Sequence, residues 1–217
     1  MDSMKTNDTP FFSVIVPLHN AAEWMRRGLD SIRAQTFTDY ELILICDSCE
    51  DKTEQIAREY SDNVIVGDWR SCGVSRNRGL DAARGEWILF MDDDDWWDTD
   101  TAFQEIYDGI LGNGPDKFDV LAFDFVFQGR GIARQLPGHL YIAIWNKAWK
   151  RSFVGDTRFP EVPHSDDVGF ANATHGRARI RYLNSVLYYY NYLRPGSISD
   201  MLRTGQLKTL EEMGLWP

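Results

Sequence analysis

Four consecutive aspartates, Asp92, Asp93, Asp94 and Asp95, follow an apolar run in the stretch EWILFMDDDDWW. Carboxylates this close repel one another, and burying any of them is costly. A cluster at the end of a core strand therefore needs bulk water, arginines or a metal ion. Arg70, Arg76 and Arg78 stand shortly before it in the chain. Carboxylates and guanidiniums together suit an anionic ligand held with a hard cation, the arginines meeting phosphate oxygens. Oxygen-only ligands favour magnesium, manganese or calcium over zinc. In isolation the run DDDDWWDTD also reads as a solvated acidic turn with a helix cap.

The surrounding elements decide where these groups stand. FFSVIVPL, YELILIC, NVIVGD and EWILFMD read as buried strands. Helices are expected over NAAEWMRRGLDSIRAQT, DKTEQIAREYS, SCGVSRNRGLDAARG and DTAFQEIYDGILG. In the first, Asn20 is the expected cap, with Glu23 three residues on, and Met25, Leu29 and Ile32 share one face. In the last, Phe103, Ile106, Tyr107, Ile110 and Leu111 share one face. Strand–helix alternation with near-continuous apolar strands implies an α/β fold, a mostly parallel sheet covered by helices on both faces. Ligands of such sheets sit beyond the carboxyl ends of the strands. His19 and Asn20 follow the first strand there, Asp47 the second, Asp68 the third and the aspartate block the fourth.

The 217 residues, 43% of them hydrophobic, suit a single domain with a sizeable core. A formal net charge of -10 argues against nucleic acid or an anionic membrane as the main partner. No run is apolar enough for a spanning segment, and the polar opening lacks a signal-peptide core. Three cysteines point to a reducing, cytoplasmic setting.

Several motifs in order resemble family 2 glycosyltransferases with the GT-A fold. Pro17 and Asn20 match a strand ending in Pro-x-x-Asn; Ser31, Ile32, Gln35 and Thr36 match Ser-Ile-x-x-Gln-Thr; Glu41, Asp47, Asp51 and Thr53 follow. Arg76, Asn77, Gly79 and Gly85 lead to the aspartates, which stand where the family carries Asp-x-Asp. The match is dense over residues 12–112. It thins to IWNKAWKRSFV, HSDDVGF and LYYYNYLRPGSIS beyond. The resemblance implies a nucleotide diphosphate sugar donor, UDP-linked in preference, bound by Pro17, Asn20, Asp47, Arg76, Asp92 and Asp93. Asp47 is implied to read the base edge and Arg76 to lie near the diphosphate. Asp94, with Asp92, is implied to hold Mn2+ or Mg2+. Asp167 is the implied general base of an inverting transfer, with Asp166 in place of the family's Glu. Ser165, Asp166 and Asp167 also read as a plain helix cap.

The resemblance divides the chain into a polar tail (1–10), a nucleotide-sugar half (11–112), an acceptor half (113–200) and a helical tail (201–217). The acceptor is expected to be a glycan, lipid-linked or other hydroxyl, with a peripheral or protein partner open. Trp96, Trp97 and Asp166 are candidates for the acceptor or sugar site. Asp95 is expected to face away and cap the next helix. Lys147 and Lys150 would either approach phosphate or remain solvated.

CDSC departs from the family's Asp-Asp-Gly-Ser: Cys46, Ser48 and Cys49 replace three of its four residues. Strand, Cys-x-x-Cys and helix is also how thiol oxidoreductases begin, or Cys46 and Cys49 could bind zinc with Cys72 and a histidine. No second Cys-x-x-Cys supports this, and Cys46 also reads as a buried strand-end residue. The other rivals are a nucleotidyltransferase, although PLHNAAEW lacks its glycine-rich loop, and a non-catalytic nucleotide-sugar-binding relative.

Overall fold

The computed structural model describes residues 9–138, 140–209 and 211–213. Strand β1 (Phe12–Leu18) is buried along its whole length. It pairs in parallel with β2 (Tyr40–Asp47) and β4 (Trp87–Phe90), and β2 pairs in parallel with β3 (Val64–Gly67). Parallel neighbours need crossovers, and α1 (Met25–Arg33), α2 (Thr53–Tyr60) and α3 (Cys72–Ala82) supply them. The sheet then continues without a break. β4 pairs antiparallel with β8 (Lys147–Lys150), β8 with β6 (Val120–Phe127), and β6 in parallel with β9 (Ile180–Tyr190). The short β5 (Trp96–Trp97) joins β9, and β7 (Gly131–Ala133) joins β6. Helices α4 (Ala102–Asn113), α5 (Arg151–Val154), α6 (Asp166–His175) and α7 (Ile198–Arg203) complete the domain. The order is β3-β2-β1-β4-β8-β6-β9-β5. The expected parallel sheet is thus the first half of a mixed one, and the antiparallel pairs all lie beyond β4.

Two contacts fix the acidic loop against the sheet. A Cβ on Gly28 would stand 2.5 Å from the Asp95 carbonyl oxygen, so α1 can approach the loop this closely only with glycine there. The Ser31 hydroxyl accepts from the Trp97 amide at 3.0 Å and donates to the Gly28 carbonyl at 2.6 Å. Gln35 donates to the Thr99 carbonyl at 2.7 Å and accepts from the Phe103 amide at 2.9 Å, joining the end of α1 to the start of α4.

Two helix expectations shift. Residues 21–24 form turns, and α1 begins at Met25; Asn20 has a φ of 47° and accepts from the Glu50 amide at 2.8 Å instead of capping α1. Met25, Leu29 and Ile32 are buried as the periodicity requires. On α4, Phe103, Ile106 and Ile110 are buried, whereas Leu111 is 47% exposed. The C-terminal helix is only α7; residues 204–209 and 211–213 are turns and coil, and the rest of that expectation, like residues 1–8 of the N-terminal tail, lies outside the described residues.

Candidate active site

A cleft of about 690 Å³ opens at the carboxyl ends of β1, β2 and β4. Pro17, Asn20, Asp47, Arg76, Asp92, Asp93 and Asp94 all line it. Sequence reading therefore brought these seven to one place. The structure assigns each a more specific situation.

Asp47 is 5% exposed. Its Oδ1 accepts from the amides of Trp69 (2.7 Å) and Arg70 (2.9 Å) and from the Ser48 hydroxyl (2.8 Å). Its Oδ2 accepts from the Ser71 amide (2.9 Å) and the Ser75 hydroxyl (3.0 Å). Burial raises its pKa, but these bonds outweigh burial and hold it below the usual carboxylate value. A carboxylate offers about four lone-pair sites, so a base edge would have to displace a donor. Asp47 holds the 69–71 loop in place at the cleft wall.

Arg76 is 6% exposed and bridges two carboxylates. It donates to Asp92 at 2.5 Å and to Asp166 at 2.6 Å, while its Nε has no partner. The expectation for Asp166 as an acceptor or sugar contact is corrected: its side chain is 4% exposed and spent on Arg76.

The aspartates separate into distinct roles. Asp92 pairs with Arg76, and Asp94 pairs with Arg194 Nε. Among the described residues Asp93 has no ionic partner within bonding range; burial, then the charge of Asp94, pushes it up to about 8. Asp95 is 1% exposed and accepts from the Tyr188 hydroxyl (2.7 Å) and the Asn191 amide (2.8 Å). It ties the loop to β9 rather than capping α4. The Tyr188 hydroxyl also accepts from the Asp92 amide at 3.2 Å.

Trp96 and Trp97 are corrected outright. One face of Trp96 stacks on Tyr189 at 4.0 Å, and the Arg27 guanidinium lies 3.2 Å from the ring centroid. Trp97 is 3% exposed and packs edge-on against Phe103 and Tyr188. Pairing of β5 with β9 draws both rings into the core, leaving no open face for a sugar.

Asp167 is the second residue of α6, next in the chain to the Arg76-bound Asp166, and does not line the cleft. Its Oδ1 accepts from the Val168 amide at 2.9 Å, and among the described residues no cation pairs with it directly. Burial pushes it up to about 6, against the pull of Arg76. Tyr141 and Lys147 feel its charge. Lys147 is wholly buried, its ammonium donating to the carbonyls of Tyr141 and Ala143 and to Asn146 Oδ1, so it is neither solvated nor near a phosphate position.

Sequence reading gave several cleft residues no role. Trp24 lines the cleft, and the Arg194 guanidinium lies 4.1 Å over its ring while pairing with Asp94. Arg194 lies in YLRPGSIS, which carried a resemblance but no role. Only the return of the chain after β9 brings it to the aspartates. Ser197, Ile198 and Ser199, around the start of α7, also line the cleft.

The donor set fits a divalent cation in part. Among the described residues no group of three His, Cys, Asp or Glu side chains converges as a ready cage. Magnesium-type sites beside phosphates need only one or two protein carboxylates. Burial first, then the charge of Asp94, raises Asp93, and a cation bound beside it would lower it again.

Comparison with known proteins gives the family and the fold. The model of glycosyl transferase family 2 matches residues 13–170. EpsH of Bacillus subtilis is 32% identical, the alignment covering 94% of this chain and 66% of EpsH. The glycosyltransferase GlyA of Streptococcus pneumoniae is 27% identical over 86% of this chain and 31% of GlyA. The chain thus spans about one to two thirds of the length of these relatives. S. aureus TarS, solved with UDP, superposes with a TM-score of 0.72 at 25% identity, over 82% of this chain and 60% of TarS. The mannosyltransferase PcManGT of Pyrobaculum calidifontis, solved with GDP-Man and Mn2+, superposes at 0.68 and 17% identity, over 91% of this chain and 61% of that one. On the family match over most of its length, the chain belongs to glycosyl transferase family 2 and carries the GT-A fold.

Proposed function

We propose that this protein transfers a sugar from a nucleotide diphosphate sugar to an acceptor hydroxyl with inversion. The observation that carries the reading is the division of carboxylates around Arg76. Asp92, Asp93 and Asp94 line the cleft, and Asp167 stands next in the chain to Asp166, the second carboxylate that Arg76 holds, with no ion pair of its own among the described residues. A leaving group and an attacking hydroxyl need separate carboxylates of this kind.

The cleft takes the nucleotide diphosphate; the UDP bound by TarS favours a uridine donor. Asp47 acts here through the loop it holds. A divalent ion on Asp94 and Asp92, Mn2+ or Mg2+, would stabilise negative charge on the departing diphosphate. Arg194, which pairs with Asp94 and lines the cleft, is a further cation for the phosphate oxygens. Arg76 stays with its two carboxylates and keeps Asp92 aimed into the cleft. As the anomeric carbon–oxygen bond to the diphosphate breaks, the acceptor oxygen bonds to that carbon and its proton passes to Asp167. Asp167 is ionised at neutral pH yet more basic than an ordinary carboxylate, which suits a general base.

The acceptor is a glycan, lipid-linked or other hydroxyl compound, and the setting is cytoplasmic. No helix among the described residues is long and apolar enough to cross a membrane. A role limited to binding a nucleotide sugar is the second reading, favoured by the absence of Asp167 from the cleft lining.

Asp167→Asn separates the two. The enzyme reading expects unchanged donor affinity by calorimetry and a fall of about 10²-fold or more in transfer or in slow donor hydrolysis. Equal hydrolysis by both forms removes Asp167 from the mechanism.

A further inference from the structure

The CDSC turn is where this chain departs from the family pattern, and two of the three replacements are cysteines. Cys46 ends near the close of β2, is 1% exposed, and is registered against Leu18 of β1. Ser48 takes a left-handed φ of 52°, which folds the chain back over the strand end. Cys49 Sγ consequently lies 3.5 Å from the Leu18 carbonyl oxygen and 3.7 Å from that of Asp47. The second thiol, half-buried, sits over the strand end that carries the first. Each thiol is the strongest influence on the other: Cys46 is pushed far up and Cys49 down to about 7. The pair sets a half-buried thiol, drawn down toward neutral, beside a buried one that stays protonated. Cys72 belongs to α3 and lines the cleft, apart from this pair.

We propose that Cys46 and Cys49 form a reversible dithiol–disulfide site, oxidised by a small disulfide, whose closure weakens nucleotide binding in the adjoining cleft. The Cys49 thiolate attacks one sulfur of the small disulfide, breaking its S–S bond and releasing one thiolate. The Cys46 sulfur then attacks Cys49 Sγ, giving up its proton to the departing second thiolate. Two protein thiols are oxidised, and one small disulfide is reduced to two thiols. Cys49 attacks first because it is the less buried thiol and the one drawn down, to about 7.

Ring closure acts on the cleft because Asp47 and Ser48 lie inside the ring. The Asp47 carboxylate holds the amides of Trp69, Arg70 and Ser71, and its carbonyl accepts from His19 Nδ1 at 2.7 Å. Cys49 must leave the Leu18 and Asp47 carbonyls to reach Cys46, which draws the Ser48 turn inward. Asp47, Ser48 and Glu50 are wall residues of the cleft and move with it. This second consequence rests on the reading of the cleft as a nucleotide site; the disulfide itself does not.

The test equilibrates the protein and its Cys46→Ala, Cys49→Ser and Cys72→Ser variants in mixtures of reduced and oxidised glutathione. Free thiols are alkylated, and the peptide carrying both cysteines is weighed. The unaltered protein and Cys72→Ser should form a Cys46–Cys49 disulfide that dithiothreitol reverses. Cys46→Ala should stop at a glutathione adduct on Cys49, and Cys49→Ser should stay reduced. By calorimetry, oxidation should weaken UDP binding at least about tenfold in the unaltered protein and leave Cys49→Ser unchanged. Cysteines that stay unlinked, or a disulfide that includes Cys72, overturn the site. A Cys46–Cys49 disulfide with equal UDP affinity in both states overturns its coupling to the cleft. If the reduced protein binds no nucleoside diphosphate, the nucleotide reading fails, and the peptide masses still decide the dithiol.

Discussion

Arg76→Met tests the centre of the proposed site. The substitution keeps much of the side chain's volume and removes the guanidinium that bridges Asp92 and Asp166. Their side chains are 28% and 4% exposed, so Asp166 is left as an unpaired carboxylate with almost no water. Breaking a buried pair in this way costs about 3–5 kcal/mol. For a chain of this size that lowers Tm by roughly 10 °C. Arg58→Met is the control: it removes an i,i+4 pair with Glu54 whose side chains are 54% and 42% exposed, worth about 0.3–0.5 kcal/mol. Adding Asp166→Asn to Arg76→Met removes the orphaned charge and should recover part of the loss. Arg76 also acts on Asp167, being the strongest influence that lowers its pKa against burial. In Arg76→Met the acid limb of turnover should therefore move above the value near 6 that Asp167 otherwise sets. The assay is urea unfolding of all four proteins at neutral pH, with a pH–rate profile of those that stay folded. If Arg76→Met costs no more than Arg58→Met, the buried bridge is not what holds Asp92 and α6 together.

Other expectations concern single residues. Because Asp167 is raised from 3.8 to about 6 in the folded protein, its protonated form is the one the fold favours. Its contribution is fully present below the unfolded value and is lost as pH rises through about 6. Asp167→Asn should accordingly gain stability relative to the unaltered protein between about pH 4 and pH 6 in denaturant titrations, and a flat difference across that window refutes the shift. Asp94→Ala should abolish the manganese dependence of UDP binding in calorimetry while the fold persists, since it relieves crowding among carboxylates. Asp47→Ala should weaken UDP and CDP alike, by releasing the 69–71 loop; a selective loss of UDP would restore Asp47 as the reader of the base. Trp96→Ala should lower stability by about 3–5 kcal/mol, as core aromatic truncations do, and leave UDP affinity unchanged.

The order of elements and the gathering of polar groups at one sheet edge were legible in the chain. Continuous apolar strands of the first half can be satisfied only by burial on both faces, and the helices between them make parallel crossovers. Asp47, Arg76 and Asp92 to Asp94 consequently had to meet at the carboxyl edge. The N-terminal limit of α1 was not legible. Asn20 has the chemistry of a cap, yet its side chain finds the Glu50 amide, a partner 30 residues away.

The amino-acid sequence by itself determined the family, the sheet that presents the aspartates, and the crowding of like charge among them. These depend on residue types and short-range spacing, which the chain carries openly. Tertiary structure alone decided which carboxylates are free. Asp166 and Asp167 are adjacent and chemically identical, but one is spent on Arg76, 90 residues away, and the other is not. Likewise Asp94 meets Arg194 across 100 residues, and Trp96 loses both faces to Arg27 and Tyr189. The pairing of a charge depends on which distant segment the sheet returns beside it, and local pattern holds no record of that.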